Sequence, residues 1–124
     1  MSAVAVLDHV QIAAPPGCER EARGFYGELV GWPELEKPES LRAAGGCWFA
    51  LGEQELHVGV EEEFAPARKA HPAFRLASPA ALDKLAQRLE AGGAEVRWDD
   101  RLPGARRFYS FDPWGNRLEF LARE

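Results

Sequence analysis

Cysteine is scarce, with two residues in 124, Cys18 and Cys47. They make no C-x-x-C pair and no metal-type spacing, so two free thiols are expected, with a single disulfide as the alternative. Long apolar runs are missing too. The longest, Ala3 to Leu7 and Cys47 to Leu51, fall far short of the ~20 residues that a membrane-spanning helix needs, and no basic segment precedes the first of them. Nor is there any excess of positive charge, since 15 basic residues face 20 acidic ones for a net charge of −5. Without a Lys/Arg cluster interleaved with aromatics, nucleic-acid binding has no support. A cytoplasmic protein is expected. Histidine is also sparse: there are three, His9, His57 and His71.

What is present is a chain 46% hydrophobic, enough for one domain with a modest core or for two small modules. Val4 to Ala13 alternates as a strand, with Val6, Asp8, Val10 and Ile12 on one face and Leu7, His9, Gln11 and Ala13 on the other. Pro15 and Pro16 open a helix whose apolar stripe is Ala22, Phe25, Tyr26, Leu29 and Val30, and Gly31 ends it. A polar segment with Pro33 and Pro38 leads to two strand-like runs, Gly46 to Leu51 and Glu55 to Val60, separated by the turn residue Gly52. Trp48 and Phe49 must face opposite ways, one toward the core. After the charged, proline-bounded connection from Glu61 to Pro72 the order repeats. Ala73 to Ala77 reads as a strand, and Ser78-Pro79 as an N-cap with Pro at N1. Leu82, Leu85, Ala86 and Leu89 form a second helical stripe stopped by Gly92-Gly93, and Glu95 to Arg101 forms another strand. The chain closes on a hairpin around Asp112-Pro113-Trp114-Gly115-Asn116, a turn with Pro where φ near −65° is wanted and Gly and Asn where positive φ is cheapest.

The repeat has a constant offset. His9 and His71, Gly31 and Gly93, and His57 and Glu119 are each 62 residues apart, while the helical stripes match at 60. Internal repetition of this kind signals two copies of one supersecondary unit, here modules of about 4–60 and 71–123 joined by a linker at 61–70 within one domain of residues 1–124. The offset singles out His9, His57, His71 and Glu119 as two pairs related by a pseudo-twofold axis. A histidine on a strand is commonly a hydrogen-bonded filler, but two equal offsets that coincide with that of the glycines point further. Three imidazoles and one carboxylate suit a borderline divalent cation such as Zn, Ni, Co, Mn or Fe(II), whereas an all-oxygen Ca or Mg cage would want more carboxylates.

Leu7-Asp8-His9-Val10, Phe25-Tyr26 with Leu29-Val30-Gly31, His71-Pro72-Ala73-Phe74 and Phe111-Asp112-Pro113-Trp114-Gly115-Asn116-Arg117-Leu118-Glu119 together resemble the vicinal oxygen chelate superfamily. This group includes glyoxalase I, the bleomycin- and fosfomycin-resistance proteins and the extradiol dioxygenases. The resemblance covers nearly the whole chain. It implies an α+β fold of two βαβββ modules whose sheets form an open barrel-like mixed sheet around the site. His9, His71 and Glu119 match the metal positions of metal-using members. His57 matches the fourth ligand position of glyoxalase-type members, which more often holds Glu, a departure that bears on the glyoxalase reaction itself. Small members of this kind resemble one another in being homodimers, often with the site shared between chains.

The resemblance implies a substrate with two neighbouring oxygens chelated to a metal that acts as Lewis acid, with Glu119 as both ligand and base. Arg107 and Tyr109 are candidates for binding a substrate carboxylate, and Trp48 for lining the pocket; the bland alternative for Arg107 is a solvated arginine beside Arg106. Two functions from different classes follow. One is a metal-dependent lyase, isomerase or dioxygenase. The other is a metal-free drug- or metabolite-binding protein, whose acidic, aromatic-lined cleft would suit a cationic ligand.

Overall fold

The computed structural model describes residues 3–124. Its first half runs β1 (His9–Ala14), α1 (Glu19–Ala22) continuing into a π-helical segment (Arg23–Leu29), β2 (Glu34–Leu35), a single turn α2 (Glu39–Arg42), β3 (Cys47–Leu51) and β4 (Gln54–Val60). The second half runs β5 (Ala73–Arg75), α3 (Pro79–Ala91), β6 (Arg97–Asp99), β7 (Ala105–Phe111) and β8 (Arg117–Arg123). The strands form two four-stranded sheets, ordered β1-β4-β3-β2 and β5-β8-β7-β6. In each, the first strand lies parallel to the last, β1 along β4 and β5 along β8, and the remaining pairs are antiparallel. The two modules therefore share one topology. The α+β fold of two βαβββ modules expected from the sequence is present, with the two sheets separate and not closed into a barrel.

Several boundaries also differ, for physical reasons. β1 starts at His9 rather than Val4 because its partner β4 begins at Gln54, where the turn at Gly52 carries the neighbouring chain away. Val4, Val6 and Leu7 then have no strand to lie against and are 86%, 84% and 66% exposed. β6 is shorter than the expected 95–101, because beyond Asp99 the chain turns as Arg101 donates both backbone and side-chain hydrogen bonds to the Asp99 carboxylate. The first helical stripe buries Ala22, Phe25, Tyr26 and Val30 as its spacing implies, yet it widens, with Val30 N–H donating to the Phe25 carbonyl five residues back. The polar segment with Pro33 and Pro38 contains β2 and α2. The second helix meets expectation: Ser78 accepts from Ala81 N–H at 3.1 Å, Pro79 follows it, and Leu82, Leu85, Ala86 and Leu89 are buried.

One core spans both modules. Tyr26, Phe49, Leu56 and Val58 from the first meet Phe74, Phe108, Phe120, Leu82 and Leu89 from the second, and Trp32 packs edge-on against Phe74 with ring centroids 4.8 Å apart. Arg88 on α3 donates to the carbonyls of Leu29 and Val30, supplying the cation and donors that the end of the first helix lacks. Asp112 forms the tightest junction. Buried in the β7–β8 turn, it accepts from the Tyr26 hydroxyl at 2.8 Å, from the backbone N–H groups of Trp114 and Asn116, and from the Asn116 amide. Asn116 in turn donates to the Ala13 carbonyl and accepts from Ala67 N–H. The fit of that turn to the first module explains why a five-residue connection stands here. The equivalent β3–β4 turn needs only Gly52 and Glu53.

Candidate functional site

Strand alternation sends the apolar residues of each sheet toward the helices and leaves a polar opposite face. On β8, Leu118 and Phe120 are fully buried in the core while Arg117 and Glu119 lie on the other side, and on β3 Phe49 is buried while Trp48 faces away. Every residue singled out for chemistry lies on, or at the edge of, these outward faces. His57 sits opposite Gln11 on β1 and opposite Trp48 on β3. Its ring is sandwiched, with the His9 ring on one side at 4.1 Å and the Trp48 indole on the other at 3.9 Å. Outside this stack, Glu55 meets His57 Nε2 at 2.8 Å and Asp8 meets His9 Nδ1 at 2.9 Å. His57 is buried, whereas His9 keeps 43% of its side chain exposed.

The second sheet carries the other pair. Glu119 lies opposite Tyr109 on β7 and Ala73 on β5, and its Oε1 is 2.9 Å from His71 Nε2. His71 Nδ1 lies 2.8 Å from the Lys69 carbonyl oxygen. Because a carbonyl only accepts, Nδ1 must carry the hydrogen there. In the neutral ring Nε2 is then a bare lone pair aimed at a carboxylate oxygen, an arrangement that calls for a positive charge between them, either a proton or a cation. An imidazole that gives one N–H to a carbonyl or carboxylate and points its other nitrogen at a site is the usual setting of a metal-ligating histidine. His9, with Asp8 at Nδ1, has that setting as well.

Glu119 Oε2 is engaged by Arg107 Nη1 at 3.2 Å. Arg107 is also held by Asp99 at 3.1 Å, so its guanidinium bridges two carboxylates. The Arg101 guanidinium and backbone N–H beside Asp99 hold the Asp99 carboxyl well below the usual carboxylate range. Tyr109 meets His71 edge-on at 5.5 Å. Arg106, the neighbour of Arg107, points the other way to Asp83 on α3 and lies over Trp98. The cysteines are free, buried and remote from these groups in character: burial pushes the Cys47 thiol up to about 11.

The four predicted ligands thus occur as two pairs, His9 with His57 on one sheet and His71 with Glu119 on the other. Among the described residues, no three His, Cys, Asp or Glu side chains are grouped to hold a metal ion within the chain. His9 and His71 nonetheless line one cavity of about 520 Å³ between the free edges of β1 and β5, walled by Val10, Ile12, Phe74 and Arg117. Glu55, Asp8, Asp99 and Arg117 were not singled out by the sequence. Alternation could have found Glu55 two residues from His57, but the approach of Asp99 to Arg107 depends on the β6–β7 register, which a sequence does not display.

A family model described as Glyoxalase/Bleomycin resistance protein/Dioxygenase superfamily matches residues 7–120. The chain belongs to that superfamily. Among solved structures, a Bacillus anthracis protein assigned to the glyoxalase family is 49% identical, covers 100% of this chain and 99% of its own, and superposes with a TM-score of 0.93. Two more distant structures share the fold. Lactoylglutathione lyase from Agrobacterium tumefaciens has 20% identity, a TM-score of 0.75, and coverage of 98% of this chain and 96% of its own. A mutant of the fosfomycin resistance protein FosX from Listeria monocytogenes, complexed with Mn(II) and 1S,2S-dihydroxypropylphosphonic acid, has 19% identity, a TM-score of 0.78, and coverage of 98% and 95%. A search against curated protein sequences gives no match. Among the described residues, no helix is long and apolar enough to cross a membrane.

Proposed function

We propose that this superfamily member is a small-molecule metalloenzyme, a lyase, isomerase or dioxygenase acting on a substrate with vicinal oxygens. In this reading His9, His57, His71 and Glu119 hold a divalent cation, and a second copy of the chain brings the two pairs together. The observation that carries it is the His71–Glu119 contact, in which Nδ1 is committed to the Lys69 carbonyl and Nε2 faces Glu119 Oε1 at 2.9 Å. Three imidazoles and one carboxylate fit Zn, Ni, Co, Mn or Fe(II). Such a cation, when bound, supplies a Lewis acid for charge developing on a substrate oxygen. The remaining work belongs to the chain. Glu119, on a rigid strand, would hold the cation and accept a proton from the substrate; Asp8 and Lys69 fix the ring orientations of His9 and His71; Tyr109 and Trp48 wall the site against water.

The free edges of β1 and β5 and the separation of the pairs support a homodimer. Metal analysis of protein purified without an affinity tag or chelator, with sedimentation in parallel, tests the reading. We expect about one divalent ion per chain in a dimer; a metal-free monomer at micromolar concentration would sink it.

One observation favours the metal-free binding protein as a second reading. Arg107 already neutralises Glu119 Oε2 at 3.2 Å, so the carboxylate has a cationic partner without any metal. Under that reading the cavity between β1 and β5 takes the ligand and the protein binds no divalent ion.

A further inference from the structure

The arginines on the second sheet's outer face are not equivalent. Arg107 is spent between Asp99 and Glu119, and Arg97 is paired with Glu95 at 3.0 Å. Arg117 has no carboxylate within reach among the described residues. Among the described residues the single hydrogen bond of its side chain is a long one, 3.4 Å, from Nη1 to the Arg68 carbonyl, and its guanidinium lies over the Tyr109 ring at 4.1 Å. A guanidinium laid on an aromatic face keeps its N–H donors around its own edge, available to a planar or tetrahedral oxyanion. Arg117 also stands where two cavities meet. One is the 520 Å³ cavity that holds His9 and His71; the other, of about 620 Å³, is lined by Arg68, Arg97, Arg117, Tyr109 and Phe111 with Glu95 as its sole acid. Three arginines against one glutamate make this a positive recess in a chain whose net charge is −5. Along β8, Arg117 is two residues from Glu119 and so projects to the same face.

We propose that Arg117, stacked on Tyr109, is the anion-binding residue of this site, and that the substrate carries an oxyanion, a carboxylate or a phosphonate-type group, beside its vicinal oxygens. The proposal rests on the functional reading above for the placement of those oxygens, but the anion subsite is a property of the arginines alone. It shifts the role foreseen for Arg107 onto Arg117, since a guanidinium bridging two carboxylates has little left to offer a third. It is also at odds with a cationic ligand, which would meet Arg68, Arg97 and Arg117.

Phenylphosphonate and its uncharged dimethyl ester are suitable probes, because the recess pairs a positive edge with the aromatic walls of Tyr109 and Phe111. Binding is measured by calorimetry and by ring-proton shifts of the tyrosines, on protein stripped of metal with a chelator. The acid should bind and weaken with added salt, and the ester should bind about tenfold less well or worse, as expected for loss of a charge-assisted contact. Arg117→Met should weaken the acid by about tenfold with the thermal midpoint unchanged, and Arg117→Lys by less, since it keeps the charge and loses the fork. Arg106→Met, on the opposite face, should match the parent and so serves as the control. Equal binding of acid and ester, no binding of the acid at millimolar concentration, or an Arg117→Met affinity within about twofold of the parent would overturn the proposal. Because the probe is read on metal-free protein, loss of the metal reading leaves this result standing, and the converse also holds.

Discussion

The two modules share a strand order, a parallel first-to-last pairing and a helix stopped by a left-handed glycine, Gly31 with φ 94° in one and Gly93 with φ 89° in the other. Their outer faces nevertheless do different chemistry. The first module presents aromatic rings, with His9, His57 and Trp48 stacked in a column and carboxylates only at its margin. The second presents a charged lattice in which Asp99, Arg107, Glu119 and His71 are joined in a chain of hydrogen bonds. Duplicated topology therefore places the pairs His9–His57 and His71–Glu119 at equivalent positions, while the side chains around them differ. The first face holds a ring stack, and under the proposed function Glu119 on the second face supplies the base.

The sharpest way to break that division is to remove one member from each face. Glu119→Gln should lower turnover by about 10²–10⁴, because the amide can neither accept the proton nor neutralise a cation. His57→Gln should cost far less, since its ring is held by His9 and Trp48 and its place can be partly taken by water. Both variants are assayed with saturating metal on a substrate found by screening oxyanionic, vicinally oxygenated compounds. Equal small losses would show that the faces are interchangeable, and no loss in either would favour the metal-free binding protein.

A second test concerns the junction rather than the faces. Asp112→Ala strands the Tyr26 hydroxyl, the Trp114 N–H and the Asn116 donors at a buried position, and each unsatisfied buried group costs about 1–3 kcal/mol. Part of the loss is recovered by relaxation and water, so a destabilisation of about 3 kcal/mol is expected in urea unfolding. A value under about 1 kcal/mol would mean that Asp112 does not couple the modules.

The fold was legible where period and punctuation agree. Ser78-Pro79, the Leu82–Leu89 stripe and Gly92-Gly93 specify a helix whose side chains do what their spacing says, and the Asp112–Asn116 turn marks its hairpin. It was illegible at Val4 to Leu7, where alternation without a partner strand produces no strand, and at the π-helical widening, where the i, i+3, i+4 pattern reads as an ordinary helix. For the site, the 62-residue offset found the pairs His9/His71 and His57/Glu119, yet the contacts run His9–His57 and His71–Glu119. Symmetry relates residues across modules, whereas strand pairing joins them within one.

Glycines at matching places sharpen the comparison with a smaller effect. Gly46 precedes β3 and Gly104 precedes β7, with φ of 88° and 75°. A Cβ on Gly46 would lie 2.0 Å from the Val58 carbonyl oxygen, whereas one on Gly104 would meet nothing within 4 Å. Gly104→Ala should therefore show only the backbone cost, about 1–2 kcal/mol. Gly46→Ala should exceed it, because the β3–β4 ladder must move. Matching losses would mean that both modules tolerate the same backbone shift at this corner.

The smallest effect is a pH dependence at the junction between the modules. Burial raises the Asp112 carboxyl above its ordinary value, against the opposing pull of its hydrogen bonds from Asn116, Tyr26 and Trp114. The unfolded chain ionises this group near pH ~4 and the folded chain at a higher pH. Between those two points the folded state binds the extra proton, so stability falls as pH rises through that window. The contribution is complete below the unfolded pKa and gone above the folded one. Asp112→Asn has no such proton to bind, and its hydrogen-bond defect is the same at every pH. The stability of the parent relative to Asp112→Asn, read from urea midpoints, should therefore be larger at about pH 4.5 than at about pH 7. A gap that is constant, or that narrows on acidification, would show that the four donors around the carboxylate outweigh its burial.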